Sequence, residues 1–153
     1  MDTATITKQQ IEQLRQLCAE AGIKLTHQRL EIFKELMAAD DHPSAESIYT
    51  RLHKKLPTIA LDTVYRTLAT FDELGLVKKL HIMNERTLFD TNLSIHHHFI
   101  CSHCKKVEDI YWQGFDNCSL PEEVESVGVV ESRHLEFHGV CRSCLDGAAD
   151  KEK

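Results

Sequence analysis

An α+β fold in two parts is what this sequence predicts: a helical N-terminal part closed by a short hairpin, then a smaller α/β part built around paired cysteines. Three observations lead there. Apolar residues recur at helical spacing through the first half, and a strand-like stretch with a polar turn follows near residue 76. After Thr91 the character changes, and histidines and C-x-x-C pairs crowd together. The expected boundaries are residues 1–91, a hinge at 92–95, and residues 96–153.

Each element has a local reason. Ile11, Leu14, Leu17 and Cys18 share one helical face, so a first helix is expected over about residues 7–21, stopped by Gly22. A second follows Thr26, with Leu30, Ile32, Phe33, Leu36 and Met37 inward. Ser44 is a suitable N-cap for a third, whose buried stripe is Ile48, Tyr49 and Leu52. A fourth starts near Asp62, turns Val64, Leu68, Phe71 and Leu74 inward, and stops at Gly75. Residues 76–82 and 87–90 read as the strands of a β-hairpin, with Asn84, Glu85 and Arg86 in its turn. Helices followed by a hairpin are the order of a winged helix, in which the helix before the hairpin reads DNA. A generic helical domain with a terminal hairpin has the same pattern.

Beyond the hinge, a strand is expected from His96 to Cys101, a turn at Ser102, His103 and Cys104, and a second strand over 106–111. Pro121 opens a short acidic helix ending at Gly128. A last strand over 129–137 leads to Cys141, and the tail beyond Asp146 is expected to fray.

Composition narrows the function. With 42% hydrophobic and 27% charged residues the chain reads as an ordinary globular protein. No basic segment followed by an apolar run opens it, and no apolar stretch approaches a membrane span, so a cytoplasmic protein with no membrane partner is expected. The net charge of −6 argues against nucleic acid, but the charge is uneven. Residues 1–91 carry 12 basic and 13 acidic side chains, residues 92–153 carry 6 and 11, and residues 51–86 hold seven basic against four acidic. A local basic face is what meets phosphate, so the uneven distribution outweighs the total.

Cys101-x-x-Cys104 paired with Cys141-x-x-Cys144 is the strongest chemical signal. Each knuckle presents two sulfurs from one tight turn, and tetrahedral Zn²⁺ takes four thiolates at about 2.3 Å. The 36 residues between the knuckles exceed a simple zinc ribbon, but a strand–helix–strand excursion returns its ends together. Four thiolates leave no open position, so the expected site is structural and supplies folding energy to a lobe with a marginal core. A redox dithiol pair or a disulfide pair is the competing reading.

The run His96, His97, His98 is the second signal. On a strand, His96 and His98 face one way and His97 the other. With Asp90 upstream and Asp109 downstream they form a mixed nitrogen and oxygen set suited to Fe²⁺, Mn²⁺ or Zn²⁺; the alternative is a solvated strand end. Other residues get plainer readings: Cys18 in the core, Cys118 an isolated loop thiol, and Tyr111, Trp112 and Phe115 in the core or at a dimer interface. His53 and His81 read as solvated, His27 lies near a helix start, and a second metal role for His134 and His138 is disfavoured. A metal hydrolase or oxygenase would need a general acid or base beyond the ligands and a pocket for a small-molecule substrate, and neither is visible.

The segments LTHQRLEIF, HPSAESIY, LDTVYRTLATFDELGLV, HHHFICSHC and HGVCRSC together resemble the ferric uptake regulator (Fur) superfamily over roughly residues 10–145. The resemblance implies a homodimer that binds a pseudo-palindromic double-stranded DNA operator when a regulatory metal is loaded. It implies DNA contacts from Thr63, Tyr65 and Arg66 of the recognition helix, with Lys78 and Lys79 of the wing. It implies a regulatory site of His42, Asp90, His96, His98 and Asp109, one ion bridging the two lobes. Aspartates at Asp90 and Asp109, where iron sensors usually have glutamates, are similar to the peroxide-sensing branch (PerR). There the implied mechanism is Fe²⁺-dependent oxidation of a ligand histidine by peroxide, at His42 or His96, which releases the DNA; Mn²⁺ fills the site without that reaction. Arg66 resembles iron or zinc uptake regulators instead. The third metal site of some relatives expects a histidine at Ile95 and an acid at His97, and is not carried over.

Overall fold

The computed structural model describes residues 6–82 and 86–149. The chain divides into two compact units between Leu93 and Ser94.

The first unit contains α1 (Lys8–Glu20), α2 (His27–Ala38), α3 (Ala45–His53), α4 (Leu61–Glu73), β1 (Lys78–Ile82) and β2 (Arg86–Asp90). Three helices start on a hydroxyl. Thr7 forms a capping box with Gln10, Thr26 accepts from the Arg29 N–H, and Ser44 accepts from the Ser47 N–H. No side chain caps α4, whose N-cap is Ala60 and which carries Asp62 in its first turn, where a carboxylate complements the helix dipole. Its end is a Schellman motif: the Leu76 N–H reaches the Phe71 carbonyl (2.9 Å) and the Gly75 N–H the Asp72 carbonyl (3.0 Å). Gly75 sits at φ 70°, a left-handed conformation that favours glycine.

Leu14, Ile32, Phe33, Leu36, Ile48, Leu52, Val64, Leu68 and Phe71 form one buried cluster, with Phe33 edge-on to Phe71 at 5.8 Å. Cys18 belongs to this core, at 1% exposure. β1 and β2 pair antiparallel from Lys78 opposite Asp90 to Ile82 opposite Arg86. Arg86 is therefore a strand residue and not part of the turn; Asn84 and Glu85 lie outside the described residues. The hairpin is tied to α3 by the Phe89 N–H donating to the Pro43 carbonyl (2.9 Å) and by a bridge between Ser44 and Leu88.

The second unit contains β3 (His97–Cys101), β4 (Val107–Ile110), α5 (Gln113–Asp116), α6 (Glu122–Glu125), β5 (Glu136–Gly139) and α7 (Arg142–Ala149). Its sheet has the order β4-β3-β5, antiparallel to β4 and parallel to β5. Two expectations fail here. The last strand is four residues and not nine, because β3 offers only residues 98–101 to pair with it and Val129 stands 95% exposed. The C-terminal segment is helical past Asp146, the second knuckle's Cys141 carbonyl accepting the Cys144 and Leu145 N–H groups and so opening α7. Tyr111 and Trp112, expected in the core or at a dimer interface, are 64% and 48% exposed in the single chain, which removes only the core alternative; Phe115 is half-buried.

Candidate metal centres

Cys101 ends β3 and Cys104 lies in the turn that follows; Cys141 precedes α7 and Cys144 lies in its first turn. The first knuckle closes through Lys105, a residue at φ 63° whose N–H reaches the Cys101 carbonyl at 3.0 Å. The parallel pairing of β3 with β5 sets Cys101 opposite Gly139, two residues before the second knuckle. All four sulfurs lie within 4.8 Å of one another, with Cys101 to Cys144 at 3.9 Å and Cys104 to Cys141 at 3.8 Å. A tetrahedron with Zn–S bonds of about 2.3 Å has edges of about 3.8 Å. The spacing and the thiolate donors fit zinc, which would be held without an open position. Disulfide bonding needs about 2.05 Å, and these four are free cysteines.

The charge on this cluster is unevenly held. The Cys141 N–H and then the Cys104 N–H point at the Cys101 sulfur, at 3.3 and 3.5 Å, and hold its thiol down at about 5. Hydrogen bonding to Cys141, with burial and the other sulfurs, pushes Cys144 up. One negative charge makes the next harder to place until a cation arrives.

Asp90 and His42 meet within the first unit. The hydrogen bond between Phe89 and Pro43 lays the end of β2 beside the start of α3, and His42 Nε2 stands 3.6 Å from Asp90 Oδ2. Both are shielded, at 11% and 4% side-chain exposure. The second oxygen, Asp90 Oδ1, accepts the Asn92 N–H at 2.8 Å.

His96, His98 and Asp109 meet within the second unit. His98 and Asp109 are partners in the β3–β4 register, and Asp109 Oδ1 is 3.6 Å from Nε2 of both His96 and His98. The two Nε2 atoms are 3.1 Å apart. His96 Nδ1 lies 2.8 Å from the Ser94 carbonyl, to which it donates, so its Nε2 carries the lone pair. Two imidazole nitrogens and a carboxylate oxygen aimed at one point form a donor set for Fe²⁺, Mn²⁺ or Zn²⁺.

His97 faces the other way. It is fully buried, its Nδ1 accepting the Leu135 N–H (3.2 Å) and its Nε2 donating to Asp116 (3.0 Å). Sequence reasoning missed Asp116 and also His134, whose Nε2 is 3.1 Å from His98 Nδ1. Nothing in their local sequence marks either pairing.

The residues expected to meet DNA lie in the first unit. Tyr65 is 44% exposed and its hydroxyl donates to the Glu46 carboxylate of α3, which holds that carboxyl below its ordinary range. Arg66 is exposed and pairs with Asp62 one turn earlier at 2.8 Å. Thr63 is half-buried and Lys78 exposed. Lys79 reaches Asp72 of α4 at 3.3 Å, tying the wing to the helix before it.

The profile of the ferric uptake regulator family matches residues 20–138. The chain is 34% identical over 128 residues to the peroxide-responsive repressor PerR of Staphylococcus epidermidis, covering 83% of this chain and 85% of that one. The Helicobacter pylori ferric uptake regulator Fur, whose structure reveals three functional metal binding sites, has the same fold. The TM-score is 0.78 at 22% identity, over 95% of this chain and 97% of that one. A zinc uptake regulator complexed with zinc and DNA superposes with a TM-score of 0.62 at 25% identity, over 95% and 99% of the two chains. Among the described residues no helix is long and apolar enough to cross a membrane. Fur-family regulators are dimeric DNA-binding proteins and not enzymes. This chain belongs to the ferric uptake regulator family and is a metal-responsive transcription regulator.

Proposed function

We propose that the chain is a cytoplasmic, homodimeric repressor that grips a palindromic operator when a regulatory Fe²⁺ or Mn²⁺ is bound and releases it on exposure to peroxide. The observation that carries this reading is the pair of imidazoles His96 and His98 converging on the short carboxylate of Asp109. The likeness to peroxide-responsive repressors supports it. His42 and Asp90 of the residue 1–91 DNA-binding domain join His96, His98 and Asp109 of the residue 96–153 dimerisation domain as ligands of one ion across a hinge at 92–95.

Each residue has a task. Cys101, Cys104, Cys141 and Cys144 hold a structural Zn²⁺. The carboxylates of Asp90, buried, and Asp109, half-buried, would neutralise the regulatory cation, and the three imidazoles would be its other protein ligands, leaving an open position for peroxide. Bound Fe²⁺ would supply the redox chemistry by which one hydrogen peroxide oxidises a ligand imidazole by two electrons, leaving one oxygen on the ring of His42 or His96 and releasing one water, and that ring would then be a poorer donor. Without that donor the two domains lose their tie, and the recognition helices no longer hold the separation that successive major grooves require. Thr63, Tyr65, Arg66, Lys78 and Lys79 make the DNA contacts. Because metal favours the DNA-competent arrangement, DNA must favour metal binding by the same factor.

The test is a paired challenge. Fe²⁺-loaded protein given low peroxide is expected to gain the mass of one oxygen on the peptide with His42 or His96 and to lose operator affinity, while Mn²⁺-loaded protein does neither. Unmodified histidines, with DNA released only by chelation, would favour the second reading: an iron- or zinc-uptake regulator, to which Arg66 in the recognition helix points.

A further inference from the structure

An imidazole that gives one nitrogen to a cation keeps its proton on the other, and that proton needs an acceptor that also fixes the ring. For His96 the acceptor is the Ser94 carbonyl, 2.8 Å from Nδ1. For His98, whose Nε2 faces His96 and Asp109, Nδ1 meets a side chain from a distant part of the chain. His134 Nε2 lies 3.1 Å away, with ring centroids 4.9 Å apart and planes at 53°.

The main chain delivers His134 to that place. The Leu135 N–H donates to His97 Nδ1 at 3.2 Å, and the His98 N–H donates to the Leu135 carbonyl at 3.1 Å. On the other side, the Arg133 guanidinium donates to the Cys118 carbonyl at 2.7 Å and to the Asp116 carbonyl. Residues 133 and 135 are both pinned, and the imidazole between them is set against His98.

We infer that His134 is a positioning residue for the regulatory metal, accepting the His98 Nδ1–H so that Nε2 presents its lone pair to the ion. The inference rests on reading His98 as a ligand of that ion. His134 is thus not a ligand, because its Nε2 is engaged with His98.

The experiment uses full-length, zinc-loaded protein and Mn²⁺ alone as the probe, in competition with a chelator of known affinity. His134→Ala is expected to weaken Mn²⁺ binding about 10- to 100-fold. His134→Gln, whose carbonyl oxygen accepts the same proton, is expected to recover most of the loss, and His138→Ala to bind as the parent does. With saturating Co²⁺ the visible spectrum of His134→Ala should match the parent, because no ligand atom is lost. Unchanged Mn²⁺ affinity in His134→Ala, or a Co²⁺ spectrum with one nitrogen fewer, overturns the inference. Should the alanine variant not fold, long-range ¹H–¹⁵N spectra of the parent with Zn²⁺ in the regulatory site decide: a proton on His98 Nδ1 supports it and one on Nε2 overturns it. If His98→Ala binds Mn²⁺ normally, the ligand reading itself has failed. If His98→Ala loses Mn²⁺ while His134→Ala keeps it, only the inference fails.

Discussion

Replacing Cys141 with serine removes one corner of the sulfur tetrahedron, and the buried apolar residues show what depends on it. Among the described residues, the second unit buries two, Ile100 and Cys101, while the first buries fifteen. Burying Ile100 contributes about 1.5–3 kcal/mol. Ordering the five backbone residues of β3 costs about 5–10 kcal/mol at 1–2 per residue. The side chains of this unit therefore do not support even its central strand. Structural zinc, at about 10–16 kcal/mol, does. Cys141→Ser, or removal of zinc by a strong chelator, should accordingly unfold the second unit and leave the first folded. The assay is hydrogen exchange read by mass spectrometry, with circular dichroism alongside. Peptides across β3 and β5 should exchange at the rate of unfolded chain, α1 to α4 should stay protected, and dimers should dissociate. A zinc-free protein in which residues 97–101 and 136–139 remain protected would refute the reasoning.

Other outcomes follow from the same geometry. At neutral pH Cys101, held down at about 5, is already a thiolate, while Cys144 is pushed well above neutrality, so zinc binding should release the Cys144 proton. Zinc affinity should then fall at least tenfold per pH unit as the medium is acidified from 8 towards 6, and an affinity independent of pH would contradict it. Asp109→Glu lengthens the carboxylate by one bond, about 1.5 Å, against imidazoles that Asp109 now meets at equal distances of 3.6 Å. Peroxide sensitivity should drop while metal-dependent operator binding survives, and equal sensitivity in a dose series would count against the ligand argument. Lys78→Ala should lower the slope of log affinity against log salt by about 0.9, the signature of one lost phosphate contact, and an unaltered slope removes Lys78 from the interface. Leu68→Ala leaves a cavity at a fully buried position and should destabilise the first unit by about 2–5 kcal/mol in denaturant unfolding, with less than 1 kcal/mol arguing for relaxation of the core.

What could be read in advance was what short stretches of chain decide. Thr26 and Ser44 announce helix starts because their hydroxyls bond to N–H groups three residues on, and Gly75 announces an end because it takes a left-handed conformation. The alternation of His96, His97 and His98 across a strand is likewise local, and the structure places His97 away from the other two. Pairings set by the sheet were not legible. Asp116 of α5 meets His97 across 19 positions, and His134, just before the parallel-docked β5, meets His98 across 36, and no periodicity encodes either. The overlong last strand has the same origin: valines suited to a strand lie there, but β3 ends before it can pair with them.

The pair His42 and Asp90 exists only because a hydrogen bond joins the Phe89 amide to the Pro43 carbonyl, 46 positions earlier in the chain. That bond cannot form until α3 has its cap and the hairpin has closed. A chain still emerging during synthesis, or one damaged in the helical core, has the two residues but not the pair. On the proposed reading of His42 and Asp90 as ligands, such a chain competes poorly for the regulatory ion, and only molecules whose first unit is complete respond.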